Sequence, residues 1–190
     1  MIDSAISHIA SQLNQNLKRS FDLPEDIVVI SNLLEQDGTV VADVNNKVVI
    51  SLVNLEKETT PLRQSATSNA LQNRAVINAP PLYFNIYLLV SACFSGSNYP
   101  EALKFISSTI SYFQGQPSFD HLNTPDLDRR IDRLVLDIEN MSFQELSNLW
   151  GIMSGRYLPS ILYKVRMVAF DSGSVKERVA TLRKPETLLK

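Results

Sequence analysis

The chain has 190 residues, of which 44% are hydrophobic and 20% are charged, and its formal net charge is -2. This length fits one domain whose core buries roughly two thirds of the unfolded surface. This hydrophobic content, charged content and net charge are typical of an ordinary globular protein. They argue against a disordered chain and against a strongly basic protein that coats nucleic acid.

The single cysteine, Cys93, excludes an internal disulfide and is interpreted as a small buried apolar residue in a reducing compartment. Residues 1–21 lack the basic start and continuous apolar stretch of a signal peptide. No segment reaches the ~20 apolar residues that span a bilayer. We therefore expect synthesis in the cytoplasm and no direct insertion into a membrane.

An amphipathic helix opens the chain. Apolar residues recur at spacings of three and four from Ile2 to Leu17, with polar residues between them, so the helix should end before Pro24. His8 falls on the polar side of this helix. Two stretches rich in β-branched residues follow, 27–34 and 47–55, and both are predicted to be strands.

The second of these strands is apolar on both faces. Val48 and Ile50 share one face, while Val49 and Val53 share the other. A strand of this kind is interior to a sheet or covered on both sides.

Residues 56–80 interrupt the pattern of strands. Thr, Ser, Asn, Gln and Arg dominate there, and the segment is too long for an ordinary connection. We interpret it as an extended polar hairpin arm, and we assign residues 56–74, which include Arg63 and Arg74, to contacts with other proteins.

The second half of the chain alternates strands and helices. Strands are predicted at 82–94, 133–139 and 159–170, a helix at 99–114, and a short helix that begins with the capping box of Ser142 and Glu145. The expected buried residues of the helix at 99–114 are Leu103, Ile106, Ile110 and Phe113. Those of the last two strands are Leu134, Leu136, Ile138, Ile161, Tyr163, Val165, Met167 and Ala169.

This order predicts an α+β domain over residues 1–171, with a single mixed β-sheet of about five strands and helices mainly on one face. Residues 172–190 form a basic tail that holds five Lys or Arg and two Glu, a net charge of +3. The rest of the chain then carries -5. A tail of this charge is either a solvated end or a docking segment.

The sequence contains none of the usual motifs for nucleotide binding, metal binding or catalysis. The six glycines form neither a dinucleotide fingerprint nor a phosphate loop, and two histidines are too few for a three-histidine metal site. His121 lies beside Asp120, with Asp126 and Asp128 nearby, and this cluster is interpreted as a solvated loop. We expect no cofactor, no metal and no catalytic residue.

Lys164 and Arg166 are the only basic residues of the last strand, and their spacing of two places them on one face. One interpretation is that they meet a partner. The other is that Asp137 and Glu139 on a neighbouring strand neutralise them as cross-strand ion pairs.

Three blocks of the sequence carry a resemblance to a known family: KVVISLVNLEKET at 47–59, PPLYFNIYLLVSACFSGSNYPEALKFISSTISYFQGQP at 80–117, and LSNLWGIMSGRYLPSILYKVRMVAFD at 146–171. Together they resemble the terminator, or cap, proteins of contractile phage-tail-like injection systems. The resemblance implies a structural protein that forms a six-membered ring on the inner tube, at the end distal to the baseplate, and binds the last sheath layer. It also implies that the protein joins the particle, which is released from the cell or anchored at a membrane. Some members carry a further C-terminal domain that these 190 residues do not contain.

The expected partners are further copies of the chain, the tube protein and the sheath protein, but not nucleic acid. Two alternatives stay open: an enzyme or ligand-binding domain with a pocket at Tyr83, Tyr87, Trp150 and Tyr157, and a connector or baseplate component of the same particle. The candidate interaction residues are Arg63, Arg74, Lys164, Arg166, Lys176, Arg178, Arg183 and Lys184.

Overall fold

A mixed six-stranded sheet is the centre of the fold in a computed structural model, which describes residues 1–35, 37–58, 75–78, 82–153, 156–169 and 175–179. The helices are α1 (Ile2–Phe21), α2 (Tyr99–Gly115) and α3 (Phe143–Met153), and the strands are β1 (Val28–Ile30), β2 (Lys47–Lys57), β3 (Ala75–Asn78), β4 (Leu82–Cys93), β5 (Ser118–Asp120), β6 (Ile131–Ile138), β7 (Ser160–Ala169) and β8 (Val175–Val179).

The strand order in the large sheet is β1-β2-β4-β7-β6-β5. β1 runs parallel to β2, and every other pair is antiparallel. The predicted α+β class with one mixed sheet is therefore confirmed, with six strands where about five were expected. The additional strand is β5, whose three residues are too few to show alternation. β1 is likewise shorter than the stretch 27–34 predicted for it.

Helix α1 ends as predicted, before Pro24. Asp22 adopts the left-handed conformation with φ 50°, and its N–H donates to the carbonyl of Lys18. Asn14 then fixes the following strand, because its Oδ1 accepts from the N–H groups of Ile27 and Val28 at 2.9 and 3.1 Å. The helix is thereby joined to the edge of the sheet.

The prediction that His8 lies on the polar side of α1 is wrong. His8 is buried, and its ring meets Phe119 of β5 edge-on with 5.5 Å between ring centroids. Burial lowers the pKa of the imidazole, and the charge of Asp126 opposes that shift. The contact cannot be predicted from the sequence, because β5 has only three residues and leaves no pattern of alternation.

Helices α1 and α2 cover one face of the sheet. The core on this side includes Leu13, Ile50, Ile86, Leu134, Val165 and Met167. The predicted buried stripe of α2 is wrong in part: Leu103 is 47% exposed, and the buried residues are Ala102, Phe105, Thr109 and Phe113. Aromatic packing sets this rotation, because Phe105 meets both Phe21 and Phe94 with ring centroids 4.8 and 5.2 Å apart.

A smaller core lies on the opposite face, under α3 and the segment between β1 and β2. Its buried members are Leu33, Val44, Val49, Leu89, Trp150 and Leu162. The capping box of α3 is confirmed: the N–H and Oγ–H of Ser142 donate to Glu145 Oε2 at 2.7 and 2.8 Å, and the N–H of Glu145 donates to Ser142 Oγ at 3.3 Å. Because this core covers one end of the sheet face, Val48 through Ser51 of β2 are buried on both sides, as predicted.

The last two strands follow the predicted alternation in part. Leu134, Leu136, Tyr163, Val165 and Met167 are buried, whereas Ile161 is only half-buried and Ile138 is 49% exposed at the end of β6. Leu162, on the opposite face, is also buried because it packs in the smaller core. Ala169 is described only in its backbone.

A second sheet consists of β3 and β8, which pair antiparallel from Ala75 opposite Val179 to Asn78 opposite Val175. We call this pair the ribbon. β3 lies within the stretch predicted as a polar arm, and β8 lies within the predicted tail. Two segments that the sequence separates by about a hundred residues thus meet as neighbouring strands.

Candidate interaction surface

The candidate residues Lys164 and Arg166 lie on the sheet face that carries the smaller core, beyond the end that α3 covers. β7 is an interior strand, and across from these two residues stand Tyr87 and Asn85 of β4. On the other side stand Asp137 and Val135 of β6. Lys164 and Arg166 therefore share one face of the sheet, as their spacing predicted.

Arg166 is neutralised within the subunit. Its Nη2 lies 2.5 Å from Asp137 Oδ2, and the two side chains are 39% and 54% exposed. The expectation of a cross-strand ion pair is thus confirmed for Arg166. Because both partners remain in contact with water, the pair contributes little to stability and stays available for exchange with a partner's charge.

Lys164 has a different neighbour. Its ammonium lies 5.8 Å from the ring centroid of Tyr87, within the range of a cation–π contact. The hydroxyl of Tyr87 donates to Glu56 Oε2 at 2.9 Å. Partial burial, this hydrogen bond and the charges of Glu56, Glu139 and Glu58 raise the pKa of Tyr87 to about 12, so the phenol stays protonated and keeps donating.

The other candidate residues are less fully located. Arg63, Arg74, Arg183 and Lys184 lie outside the described residues. Lys176 and Arg178 belong to β8, where only the backbone is described. Arg178 stands opposite Val76, and Lys176 falls at the irregularity of the ladder between Glu177 and Val175. Most of the predicted arm, residues 59–74, also lies outside the described ranges.

The ribbon is the feature of this surface that sequence reasoning missed. The arm was predicted to be dominated by polar residues, with only scattered apolar ones, and the tail was not assigned a strand. A signal was present in both segments: Val76 and Ile77 are adjacent β-branched residues, and Val175 and Val179 flank charged residues. Both segments are too short for that signal to be decisive.

The loop around His121 has a structural role. His121 Nε2 contacts the carbonyl oxygen of Ile131 at 2.8 Å, and Asp120 Oδ1 accepts from the N–H groups of Leu122 and Asn123. Within the described ranges, no three His, Cys, Asp or Glu side chains lie together as a metal site would require.

The four aromatic residues proposed for a ligand pocket do not converge. Trp150 and Tyr157 meet edge-on at 5.8 Å and line a concavity beside α3, whereas Tyr87 lines another concavity farther along the sheet face. Cys93 lines a third opening of about 430 Å³. Burial raises the pKa of its thiol to about 11, so it is not a ready nucleophile.

The concavity beside α3 contains residues that the sequence did not single out. Phe143, Leu146, Ser147 and Gly151 line it together with Trp150 and Tyr157. In the sequence, Phe143 reads only as part of the capping box, because nothing in a short helix shows which of its apolar residues stays exposed.

None of the described helices has the length and the apolar composition that a membrane span requires.

The similarity to known proteins extends over most of the chain and is not confined to a single site. Residues 5–182 match the sequence family described as the Pvc16 N-terminal domain. No curated protein has a significant match to the chain.

Two solved structures share the fold. One is the sheath/tube terminator of an extracellular contractile injection system, PVC, in its extended state, with a TM-score of 0.62 and 16% sequence identity. The other is the tube-terminating cap of the anti-feeding prophage, with a TM-score of 0.55 and 12% identity. The match covers 100% and 94% of this chain, but only 63% and 59% of those chains. This chain therefore spans less than two thirds of the length of either protein.

Proposed function

We propose that this chain, which belongs to the Pvc16 N-terminal domain family, caps the inner tube of a contractile injection system. In this role it forms a ring of six copies on the tube end distal to the baseplate, stops tube growth and anchors the last sheath layer. The protein is made in the cytoplasm and then becomes part of the particle. Its work is assembly, not catalysis.

The observation that carries the proposal is the agreement between family and fold. The family match runs over nearly the whole chain, and two solved proteins that share this fold are described as a sheath/tube terminator and as a tube-terminating cap. Fold alone does not fix function, so the contacts of the chain have to be argued from its own surface.

The surface supports an assembly role. The large sheet is held between two cores and forms a rigid platform. The polar half of one face presents Lys164 and Arg166 with neighbours that are only partly buried. The ribbon brings the arm and the tail to one place.

We assign the arm, with Arg63 and Arg74, to neighbouring copies and to the tube. A two-stranded sheet is marginally stable in water by itself, so the ribbon gains stability when a partner covers it. The tail, with Lys176, Arg178, Arg183 and Lys184, is assigned to the sheath through complementary charge. The tail carries +3 against -5 for the rest of the chain.

The direct test is deletion of the gene, followed by electron microscopy of the particles. Tubes of uncontrolled length, or particles without sheath, are the expected result. Particles of normal length with a full sheath would contradict the capping role. Purified chain mixed with purified tube protein should also place a ring at tube ends; a ring elsewhere on the particle would favour a connector or baseplate role.

The arm and the tail are tested by separate deletions. Removal of residues 60–73 should leave a folded protein that fails to cap, because the body of the sheet is retained. Truncation after Gly173 removes β8 and the rest of the tail, whereas truncation after Val179 removes only the last eleven residues. Loss of sheath in both truncations assigns the contact to residues 180–190, and loss only in the shorter chain assigns it to the ribbon. Normal sheath in both would contradict a docking role for the tail.

A further inference from the structure

The concavity between β2, β4 and the start of α3 combines an apolar part with three carboxylates, and we call it the acidic concavity. Its volume is about 430 Å³. Leu162 is buried, and Val53 and Met141 are half-buried beside it in the smaller core. The described residues that line this space include no lysine and no arginine, but they do include Glu56, Glu139 and Glu145. A long basic side chain matches such a space, because its stem is apolar and its end is positive.

Two of these carboxylates keep their negative charge within the subunit. Glu56 accepts from two neutral donors, the Tyr87 hydroxyl at 2.9 Å and Asn54 Nδ2 at 3.1 Å. Among the residues that the structure describes, neither Glu56 nor Glu139 forms an ion pair. Burial, the hydrogen bond to Glu56 and the charges of Glu56 and Glu139 raise the pKa of Tyr87 to about 12. Both carboxylates therefore act on the same part of the surface.

The basic residues that the sequence offered to Glu139 are engaged elsewhere. Arg166 binds Asp137, and Lys164 lies over the ring of Tyr87. Glu139 is half-buried, so water solvates its charge less completely than that of an exposed carboxylate. A cation from outside the subunit is attracted more strongly to such a group, because the local dielectric is lower than in bulk water.

Residues 59–74 of the arm carry the charge that the acidic concavity lacks. They contain Arg63 and Arg74 and no Asp or Glu, so their net charge is +2. Arg74 directly precedes β3, whereas Arg63 lies well inside the segment between β2 and β3 and follows the apolar Leu62. A guanidinium suits two carboxylates better than an ammonium does, because its donors lie in one plane and can bind both. Arg63 is therefore the basic residue of this chain with the matching chemistry.

The direction of β2 favours the arm of another copy over that of the same chain. β2 passes the acidic concavity at Glu56 and carries the chain away from it, and the N–H of Glu58 donates to the carbonyl of Tyr83 at 2.9 Å. Tyr83 lies four residues before Tyr87 on β4, roughly 13 Å farther along the sheet. Arg63 follows Glu58 by five residues, so the same chain would have to reverse its direction at once. Pro61 restricts the backbone within those five residues.

We propose that Arg63 of one copy binds in the acidic concavity of a neighbouring copy, where its guanidinium donates to the carboxylates of Glu56 and Glu139. The stem of the arginine packs on the apolar part of the concavity, beside Leu162 and Met141. The inference rests on the proposed function, which assigns the arm to neighbouring copies, and it identifies the site that receives the arm. The occupant is a second copy of this chain, not tube or sheath.

A peptide with the sequence of residues 59–74 tests the contact without assembly of the particle. The receptor is the full chain with Arg63→Gln, so that its own arm does not compete, and fluorescence anisotropy of the labelled peptide gives the affinity. Replacement of Arg63 in the peptide by citrulline, a neutral residue of the same shape, should weaken binding about ten- to a hundredfold, and so should Glu139→Gln in the receptor.

Two matched controls belong to the peptide experiment. Arg74→Gln in the peptide and Glu25→Gln in the receptor should change the affinity less than threefold, because Glu25 is exposed and does not line the concavity. Equal binding of the arginine and citrulline peptides would overturn the proposal. The absence of binding at millimolar peptide would overturn it as well.

Cysteine cross-linking distinguishes a neighbouring copy from the same chain. In a Cys93→Ser background, one chain carries Arg63→Cys and another carries Asn140→Cys, a lining position of the concavity. Oxidation of the mixture, alone and at tube ends, should give a disulfide-linked heterodimer. When both substitutions are placed in one chain, a link within the monomer without any heterodimer in the mixture would assign the concavity to the chain's own arm and contradict the proposal. No link in either experiment would also contradict it.

A charge exchange adds a rescue. A peptide with Arg63→Glu should not bind the receptor, and a receptor with Glu139→Arg should not bind the natural peptide, whereas the two altered partners together should regain at least tenfold in affinity. Affinity for the exchanged pair no higher than for the mismatched pairs would reject the contact.

Failure of this contact is distinguishable from failure of the proposed function. Tubes that are capped normally by chains with Glu139→Gln, together with a peptide that does not bind, would reject the contact and leave capping intact. A heterodimer that forms through residues 63 and 140, in a chain that is never found at tube ends, would reject capping and leave the contact intact.

Discussion

Asp137 and Arg166 form an ion pair at 2.5 Å although Asp137 lies directly across the ladder from Lys164. The carboxylate thus binds its diagonal neighbour, two residues along β7. Lys164 instead lies over the ring of Tyr87 on the other side of the strand. The two basic residues of β7 therefore face different strands. Arg166 pairs with a carboxylate, and Lys164 interacts with an aromatic ring.

The Asp137–Arg166 pair should contribute little to folding. A double-mutant cycle with Asp137→Asn and Arg166→Met is expected to give a coupling free energy of about 0–1 kcal/mol, because both side chains remain exposed. Urea unfolding of the four proteins measures it. Lys164→Met serves as the control for the loss of a basic residue at the adjacent position. A coupling well above this range would mean that the pair is shielded from water.

His8 should make the folded state sensitive to acid. Burial lowers the pKa of its imidazole in the folded protein, so the unfolded chain binds the proton more readily. The stability that the neutral, buried His8 contributes is fully present above the pKa of about 6.5 in the unfolded chain. It is lost as the pH falls through that value toward the lower pKa of the folded protein. Thermal unfolding between neutral and mildly acidic pH should show this loss for the natural chain and a smaller one for His8→Phe. His121→Gln is the control, and an identical pH profile for His8→Phe would contradict the assignment.

The orientation of α2 about its axis is tested by comparing a substitution on its buried face with one on its half-exposed face. Phe113 is buried among the rings of Tyr112, Phe119 and Tyr163, with centroid distances of 5.1 to 6.4 Å. Phe113→Ala should lower the free energy of unfolding by about 3–5 kcal/mol. Leu103→Ala should have less effect, within about 1 kcal/mol, because this side chain is half exposed. Equal losses in denaturant titrations would restore the stripe first predicted from the sequence.

The ribbon makes β3 depend on β8. Hydrogen exchange measured by mass spectrometry should show protection of the amides in residues 75–78 for the full chain and for the chain truncated after Val179. Truncation after Gly173 removes the partner strand, so this protection should be lost while that of β4 is retained. Protection of residues 75–78 without β8 would mean that another segment pairs with β3.

Local sequence patterns were sufficient to predict an element where its buried face carries a long, regular repeat of apolar residues. The apolar positions of α1 repeat over about four turns, and β4 and β7 alternate over ten or more residues, so their bounds were predicted closely. Patterns failed where the element is short or where two helical faces are similarly apolar. β5 has three residues. In α2, Leu103 and Phe105 are both apolar, and only the rings of Phe21 and Phe94 decide which one is buried.

By itself the sequence determined the α+β class, the family resemblance, the capped start of α3 and the basic pair on one face of β7. Each depends on residues close together in the chain, because periodicity and capping act over a few residues. Only the tertiary structure decided that Asp137 binds Arg166, that His8 is buried against Phe119, that the arm pairs with the tail and that α3 keeps an open concavity. These features depend on which strands become neighbours and on what covers each face, and contacts between distant segments leave no local periodic signal in the sequence.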